Sequence, residues 1–222
     1  MAAHGPSRQF KRYFKGEIVG ELYPPFTQLD YAAEIAQVRA ASPDAVFEFL
    51  PGGVGINFLK QFSESGLKNT IKLYTDFGGL DETMIAAVGD AGLGASTASF
   101  WTAGMKNAVS EKFVTAFEEK YKRVPSFYAA AGYDTALLLD AALTAVQGNT
   151  SDHKVFVSAL ADAKFNAVRG TFQFNKNHVP FADFYLTTVS KDDQGRYILA
   201  LGKQIFSQHE DPYAAQCKMA GQ

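Results

Sequence analysis

The sequence predicts an α/β fold: a parallel sheet flanked by helices, followed by a helix-rich stretch and a C-terminal antiparallel hairpin. Three observations carry this. Short apolar runs alternate with helically spaced apolar residues up to Trp101, strand signals then cease, and two β-patterned runs return around a polar turn near the C-terminus.

Taken in order, Ile18–Tyr23 is an apolar-rich run closed by Pro24 and Pro25, and Ala45–Leu50 is another, closed by Pro51, Gly52 and Gly53. Both read as strands buried on two faces. Between them Tyr31, Ile35 and Val38 recur at helical spacing behind Asp30, a suitable N-cap, and the pattern stops at Ser42 and Pro43. The unit then repeats. Ile56, Leu59, Lys60 and Ser63 share a helical face beside Phe62, Gly66 suits the C-cap, and Ile71–Thr75 is the next strand. A third helix runs from Asp81 through Met84, Ile85 and Val88, and Ala95–Trp101 is the fourth strand. Four strands alternating with three helices give a parallel sheet with right-handed crossovers.

Beyond Trp101, Phe113, Phe117 and Tyr121 mark one helix; Tyr133, Leu137, Ala141 and Leu143 mark a second ending near Gly148; Val155, Phe156 and Leu160 mark a third. Asn149-Thr150-Ser151 reads as the loop and N-cap before that third helix rather than as a glycosylation acceptor. From Thr171 the pattern is β again, and Asp183–Ser190 and Arg196–Ile205 flank the turn Lys191–Gly195. The tail from Ser207 is polar and expected to be loosely held. The domain boundary falls near Trp101–Lys106.

Composition excludes several classes. The 222 residues are 47% apolar and 20% charged, the make-up of a globular protein with a core. A net charge of -2 offers no broad basic surface for nucleic acid or an anionic membrane. The nearest approach to a membrane span, Ala129–Val146, is broken by Gly132, Asp134 and Asp140. The single cysteine, Cys217, excludes an internal disulfide, and Met1–Phe10 lacks the apolar core of a secretion signal, which taken literally keeps the chain in the cytoplasm. His4, His153, His178 and His209 are scattered away from metal-ligand spacing, so neither metal nor cofactor is expected. Gly94-Ala95-Ser96-Thr97-Ala98 lacks the last glycine of a nucleophile elbow, and Gly52-Gly53-Val54-Gly55 lacks the third glycine of a dinucleotide fingerprint. No nucleophile can be matched to a base, so the chain is not expected to be an enzyme.

In open parallel sheets the ligand crevice lies outside the carboxyl ends of the strands, here Tyr23–Phe26, Phe49–Gly53, Thr75–Gly78 and Phe100–Trp101. The candidate ligand-binding residues are therefore Tyr23, Phe49, Pro51, Gly52, Gly53, Asp76, Phe77 and Trp101. None of these strand ends carries Lys or Arg, so an anionic ligand would be held by dipoles. Gly52 and Gly53 open the helix that starts near Ile56, and read either as a backbone cradle for a carboxylate or as a tight turn. Asp76 reads as a ligand acceptor or a turn residue, the aromatics as platforms or core caps, and Trp101 as a crevice residue or hinge packing.

The runs Tyr31-Ala-Ala-Glu-Ile-Ala-Gln-Val-Arg-Ala-Ala-Ser-Pro-Asp-Ala-Val-Phe and Phe49-Leu-Pro-Gly-Gly-Val-Gly-Ile-Asn-Phe-Leu-Lys-Gln, with Gly132-Tyr-Asp-Thr-Ala and Gly170-Thr-Phe-Gln-Phe-Asn-Lys-Asn-His-Val-Pro, resemble the leucine/isoleucine/valine-type periplasmic binding proteins of ABC transporters. The resemblance covers nearly the whole chain. It implies a type I arrangement, in which two α/β lobes joined by three crossovers close on a small solute and deliver it to a membrane permease. It also implies that the chain starts midway through lobe two, so that the first lobe is incomplete, and the odd Cys217 reads either as the remnant of a pair with an upstream cysteine or as a free surface thiol. On that reading residues 1–104 are the remainder of lobe two, 105–178 a remainder of lobe one, and 179–222 the return to lobe two with hairpin and tail.

Family members that bind α-amino acids carry an acidic residue after the strand matching Ile71–Thr75, where it meets the ligand ammonium; Phe77 aligns on or beside that position, with Asp76 one residue away. The resemblance therefore implies a carboxylate-bearing solute, of aromatic-acid or branched-chain amino-acid type, with the aromatic acid favoured by Phe77. It implies a periplasmic location for the intact protein and an ABC permease as partner. Because closure needs both lobes on the ligand, this chain is expected to bind weakly or not at all. The rival is a cytoplasmic ligand-sensing domain of the same fold.

Overall fold

The computed structural model describes residues 4–218. In chain order its elements are α1 (His4–Tyr13), α2 (Ala32–Ala41), β1 (Ala45–Glu48), α3 (Gly53–Glu64), β2 (Lys72–Thr75), α4 (Glu82–Val88), β3 (Ser96–Ser99), α5 (Ala108–Tyr121), α6 (Phe127–Ala145), α7 (His153–Asp162), β4 (Ala182–Lys191) and β5 (Tyr197–His209). The strands form one sheet in the order β1-β2-β3-β4-β5. The chain divides into two compact units: unit 1 is the chain up to Ala98 with Thr188–Ile198, and unit 2 is Ser99–Thr187 with the chain from Leu199 on. The backbone thus passes between them three times.

In unit 1, β1 pairs parallel with β2, from Ala45 opposite Lys72 to Glu48 opposite Thr75, and β2 pairs parallel with β3. Helices of unit 1 are held by buried apolar faces. On α3, Phe58, Leu59 and Phe62 are buried, and Phe58 meets the Tyr31 ring edge-on at 5.4 Å. Gln61 of α3 also ties down the start of α2, accepting from the Tyr31 N–H at 2.7 Å and donating to the Leu29 carbonyl at 2.8 Å. A Cβ on Gly55 would lie 2.0 Å from the Leu50 carbonyl oxygen, so only glycine lets α3 start this close to the chain leaving β1. The Asp81 carboxylate caps α4 by accepting from the Thr83 and Met84 N–H groups, both at 2.7 Å.

Unit 1 has three parallel strands where four are predicted. Ile18–Tyr23 is irregular and largely exposed, with Val19 at 53%. An apolar extended run becomes a strand only when a neighbour offers its backbone groups. Here β1 is the outer strand of the sheet and Ile18–Tyr23 does not pair with it. Its exposed edge face is met instead by α1, whose Phe10 stacks on Phe47 at 4.8 Å. Asp30 also differs in detail: the N-cap of α2 is Tyr31, and the Asp30 carboxylate accepts from the Ala32 N–H at 3.0 Å one residue earlier.

Unit 2 contains α5, α6 and α7. Asn107 caps α5 through the Ser110 N–H at 2.8 Å and donates to the Val168 carbonyl at 2.9 Å. The N-cap of α7 is Asp152, not the preceding Asn149-Thr150-Ser151, which folds on itself as a turn. β4 and β5 are hydrogen-bonded neighbours, and so short a connection joins only antiparallel strands. The turn is built on the Asp192 carboxylate, which accepts from the N–H groups of Gln194 and Arg196 and from Arg196 Nε at 2.7 Å. β5 continues to His209, beyond the predicted end of the hairpin, and near its end the Gln208 N–H donates to the Asp183 carboxylate at 2.7 Å.

Candidate functional site

The carboxyl ends of β1 and β2 lie side by side in unit 1. Glu48 closes β1 and Thr75 closes β2 in the same register row, and the Asp76 N–H donates to the Glu48 carbonyl at 3.2 Å. Of the residues predicted for ligand binding, six fall on these two ends: Phe49, Pro51, Gly52 and Gly53 after β1, and Asp76 and Phe77 after β2.

Pro51, Gly52 and Gly53 are exposed, and Phe49 is half-buried against Phe26 at 6.3 Å, edge-on. Gly52 is the N-cap of α3 with φ +68° and ψ -139°, a conformation that glycine tolerates and residues with a Cβ do not. No side chain caps this helix start and its first turn carries no acidic residue. A Cβ built on Gly52 or Gly53 would meet no atom within 4 Å. The arrangement is a helix N-terminus, with its positive dipole end and backbone donors, opening on space beside two strand ends.

Asp76 anchors the turn that leaves β2. Its Oδ2 accepts from the Gly78 N–H at 2.9 Å, and its carbonyl accepts from Thr97 Oγ1 at 2.8 Å and from the Gly79 N–H at 3.1 Å. Its Oδ1 is buried without a hydrogen-bond partner. Burial raises the Asp76 pKa above the usual carboxylate value, against the opposing pull of the Gly78 and Gly79 N–H groups. Glu48, beside it, is 6% exposed with both carboxylate oxygens unpartnered. Burial first, and the Asp76 charge second, push the Glu48 carboxyl up to about 8. At neutral pH the Glu48 carboxyl beside Asp76 is therefore mostly protonated.

Two predicted residues lie elsewhere. Tyr23 is exposed on the irregular segment and donates its hydroxyl to Glu21. Trp101 belongs to the core of unit 2: it is fully buried, donates from Nε1 to Ser110 Oγ at 3.0 Å, and meets Phe113 edge-on at 5.8 Å.

Sequence reasoning missed two features. Glu48 was the signal of one, a lone carboxylate inside the apolar run Ala45–Leu50. The other is the buried Asp134–Arg169 pair of unit 2, in which Asp134 Oδ2 accepts from Arg169 Nε at 2.8 Å and Oδ1 accepts from the Val168 N–H at 2.7 Å. Asp134 reads as a helix-face residue from spacing alone, since its partner lies far along the chain. Among the described residues no group of His, Cys, Asp and Glu could hold a metal ion.

A family model described as "Periplasmic binding protein" matches residues 2–195. No match was found among curated proteins. Among solved structures, the chain is 29% identical to an ABC transporter substrate-binding protein from Sphaerobacter thermophilus, with a TM-score of 0.85 over 94% of this chain and 58% of that one. It is 31% identical to a solute-binding protein of an ABC transporter from Rhodopseudomonas palustris BisB5, solved in complex with 3,4-dihydroxybenzoic acid, with a TM-score of 0.80 over 95% of this chain and 58% of that one. A leucine-binding protein from Thermotoga maritima shares the fold, at 21% identity and a TM-score of 0.75 over 90% of this chain and 57% of that one. The chain thus spans less than three fifths of these proteins' length, which matches the expected incomplete lobe. The family is one of solute-binding proteins rather than enzymes. With the parallel sheet, the flanking helices and a match over most of its length, the chain belongs to the periplasmic binding protein family, and its structural relatives are substrate-binding proteins of ABC transporters of the leucine-binding, type I kind.

Proposed function

We propose that this chain is part of the extracytoplasmic solute-binding component of an ABC importer, with unit 1 corresponding to lobe two and unit 2 to lobe one, and that its solute is a small aromatic carboxylic acid. The intact protein would close its lobes on the solute without transforming it and present it to a membrane permease. The observation that carries this reading is the exposed, uncapped start of α3 at Gly52–Gly53 beside the Asp76–Phe77 turn. A carboxylate set there would receive backbone N–H groups and the helix dipole, with Phe49 and Phe77 offering apolar surface. The R. palustris relative was solved with 3,4-dihydroxybenzoic acid, a member of that class.

The test is saturation-transfer NMR of the purified chain with 3,4-dihydroxybenzoate and with leucine, repeated with Gly53→Leu. The Cβ of that substitution meets nothing within 4 Å, so its side chain is placed at the mouth of the rim. Transfer to the aromatic acid, weaker transfer to leucine, and reduced transfer to both in the variant are expected. Preference for leucine, or an unchanged signal in Gly53→Leu, would contradict the proposal.

A further inference from the structure

Unit 2 contains a cavity of about 180 Å³, walled by Ala131, Leu138, Phe172 and Phe174, with Asp134 and Arg169 on its polar side. An apolar cavity of about 150 Å³ admits a benzene ring, so this one is large enough for a single substituted ring. Its polar side is built. Arg169 is 12% exposed and Asp134 3%, and both Asp134 oxygens are already committed, to Val168 N–H and to Arg169 Nε. The guanidinium is also fixed from its faces, with its central carbon 4.4 Å from the Phe100 ring centre and 5.5 Å from that of Phe172. Its two terminal nitrogens have no protein acceptor among the described residues.

A guanidinium held by its Nε and by ring faces presents the remaining N–H fork in a set plane, the arrangement that matches a carboxylate in bidentate fashion. The salt bridge to Asp134 offsets the charge of Arg169, so recognition rests on directed donors and ring contact rather than on net charge. We infer that this cavity is a second binding site, separate from the unit 1 rim, which takes a small aromatic carboxylate with its ring against Leu138, Phe172 and Phe174 and its carboxylate on the free fork of Arg169. The inference does not rest on the proposed importer function, since it draws only on residues of unit 2.

The test uses 4-fluorobenzoate as probe with the whole chain, read by its ¹⁹F signal and by the Arg169 Nε–H resonance of the protein. Ala131→Leu fills the cavity and leaves the Asp134–Arg169 pair intact; Arg169→Lys keeps a cation beside Asp134 and removes the fork. Saturable movement of the Arg169 resonance, with half-saturation on the order of 1 mM, is expected for the wild type. Binding read at the Arg169 resonance should weaken about ten-fold or more in Ala131→Leu, the ¹⁹F signal should keep only the unit 1 contribution in Arg169→Lys, and Gly53→Leu should leave the Arg169 titration unchanged. Absence of a saturable shift, or unaltered binding in Ala131→Leu, would overturn the inference. So would equal binding of benzyl alcohol, which lacks the carboxylate, or of inorganic phosphate, which lacks the ring. An Arg169 titration lost in Gly53→Leu would show one site in place of two and would overturn it as well.

Discussion

Replacing Glu48 by glutamine should make the protein more stable at alkaline pH and barely change it at acid pH. Glu48 is buried, its two oxygens have no partner, and burial lifts its carboxyl from the ordinary carboxylate range to about 8. The folded state therefore holds a proton that the unfolded chain releases. For a group whose folded pKa is raised, the stabilising contribution is complete below about 4.5 and is lost progressively until the pH passes about 8. Each pH unit in that window costs somewhat over ~1 kcal/mol per group, so the loss across it is on the order of a few kcal/mol. Glutamine has the same shape and does not ionise, which removes the pH term while leaving packing in place. Urea denaturation followed by far-UV circular dichroism at pH near 5 and near 8 measures the difference. The expected result is a shallower fall of stability with pH in Glu48→Gln than in the wild type, with the variant ahead at the upper pH. Equal slopes for the two proteins, or a variant less stable at the upper pH, would refute the reasoning.

Glu82 has the same signature, pushed up to about 8 by burial with one oxygen unpartnered, so Glu82→Gln should flatten the same curve independently and the double variant should flatten it further. Gly55→Ala should destabilise by about 1–3 kcal/mol or more in thermal melts, because its Cβ would press on the Leu50 carbonyl, whereas Gly53→Ala should be nearly neutral. Asp134→Ala should cost about 3–5 kcal/mol in the same assay, since it strands the buried Arg169 guanidinium and the Val168 N–H. Finally, Tyr128, Leu139 and Leu143 of α6 and Val155 and Val157 of α7 are exposed, and light scattering should show self-association that rises with concentration and falls in Leu139→Glu/Leu143→Glu.

How much of this was legible beforehand depended on whether the cause was local. The alternation of strands and helices was readable because strands write short apolar runs, as in Ala45–Leu50, and helix faces write their own period, as in Ile85 and Val88; the expected burial of Ala45–Leu50 on two faces fails, since β1 is the outer strand and leaves Ala45 and Phe47 exposed. Ile18–Tyr23 carries the same local signal and still stays irregular, since pairing is a property of the neighbour and β1 ends the sheet beside it. The strand-end rule gathered Phe49 to Gly53 with Asp76 and Phe77, because parallel pairing puts consecutive strand ends on one edge. It misjudged nothing about Glu48 except to pass over it: protonation of a buried carboxyl depends on what surrounds it in three dimensions. Asp134 was hidden for the same reason, its partners Val168 and Arg169 being brought to it by the fold. Asp183 likewise meets Gln208 near the end of β5 through a contact that no local pattern announces.

The central claim is that the rim of unit 1 takes a small aromatic acid on the backbone groups at the start of α3. The most direct measurement is a titration of the isotope-labelled chain with 3,4-dihydroxybenzoate, following the backbone N–H resonances of Gly52, Gly53 and Gly78. Saturable shifts at these glycines and their neighbours, larger than those caused by leucine and distinct from those at the Arg169 cavity of unit 2, are the predicted result. Shifts that avoid the three glycines, or that leucine reproduces in full, would contradict the claim.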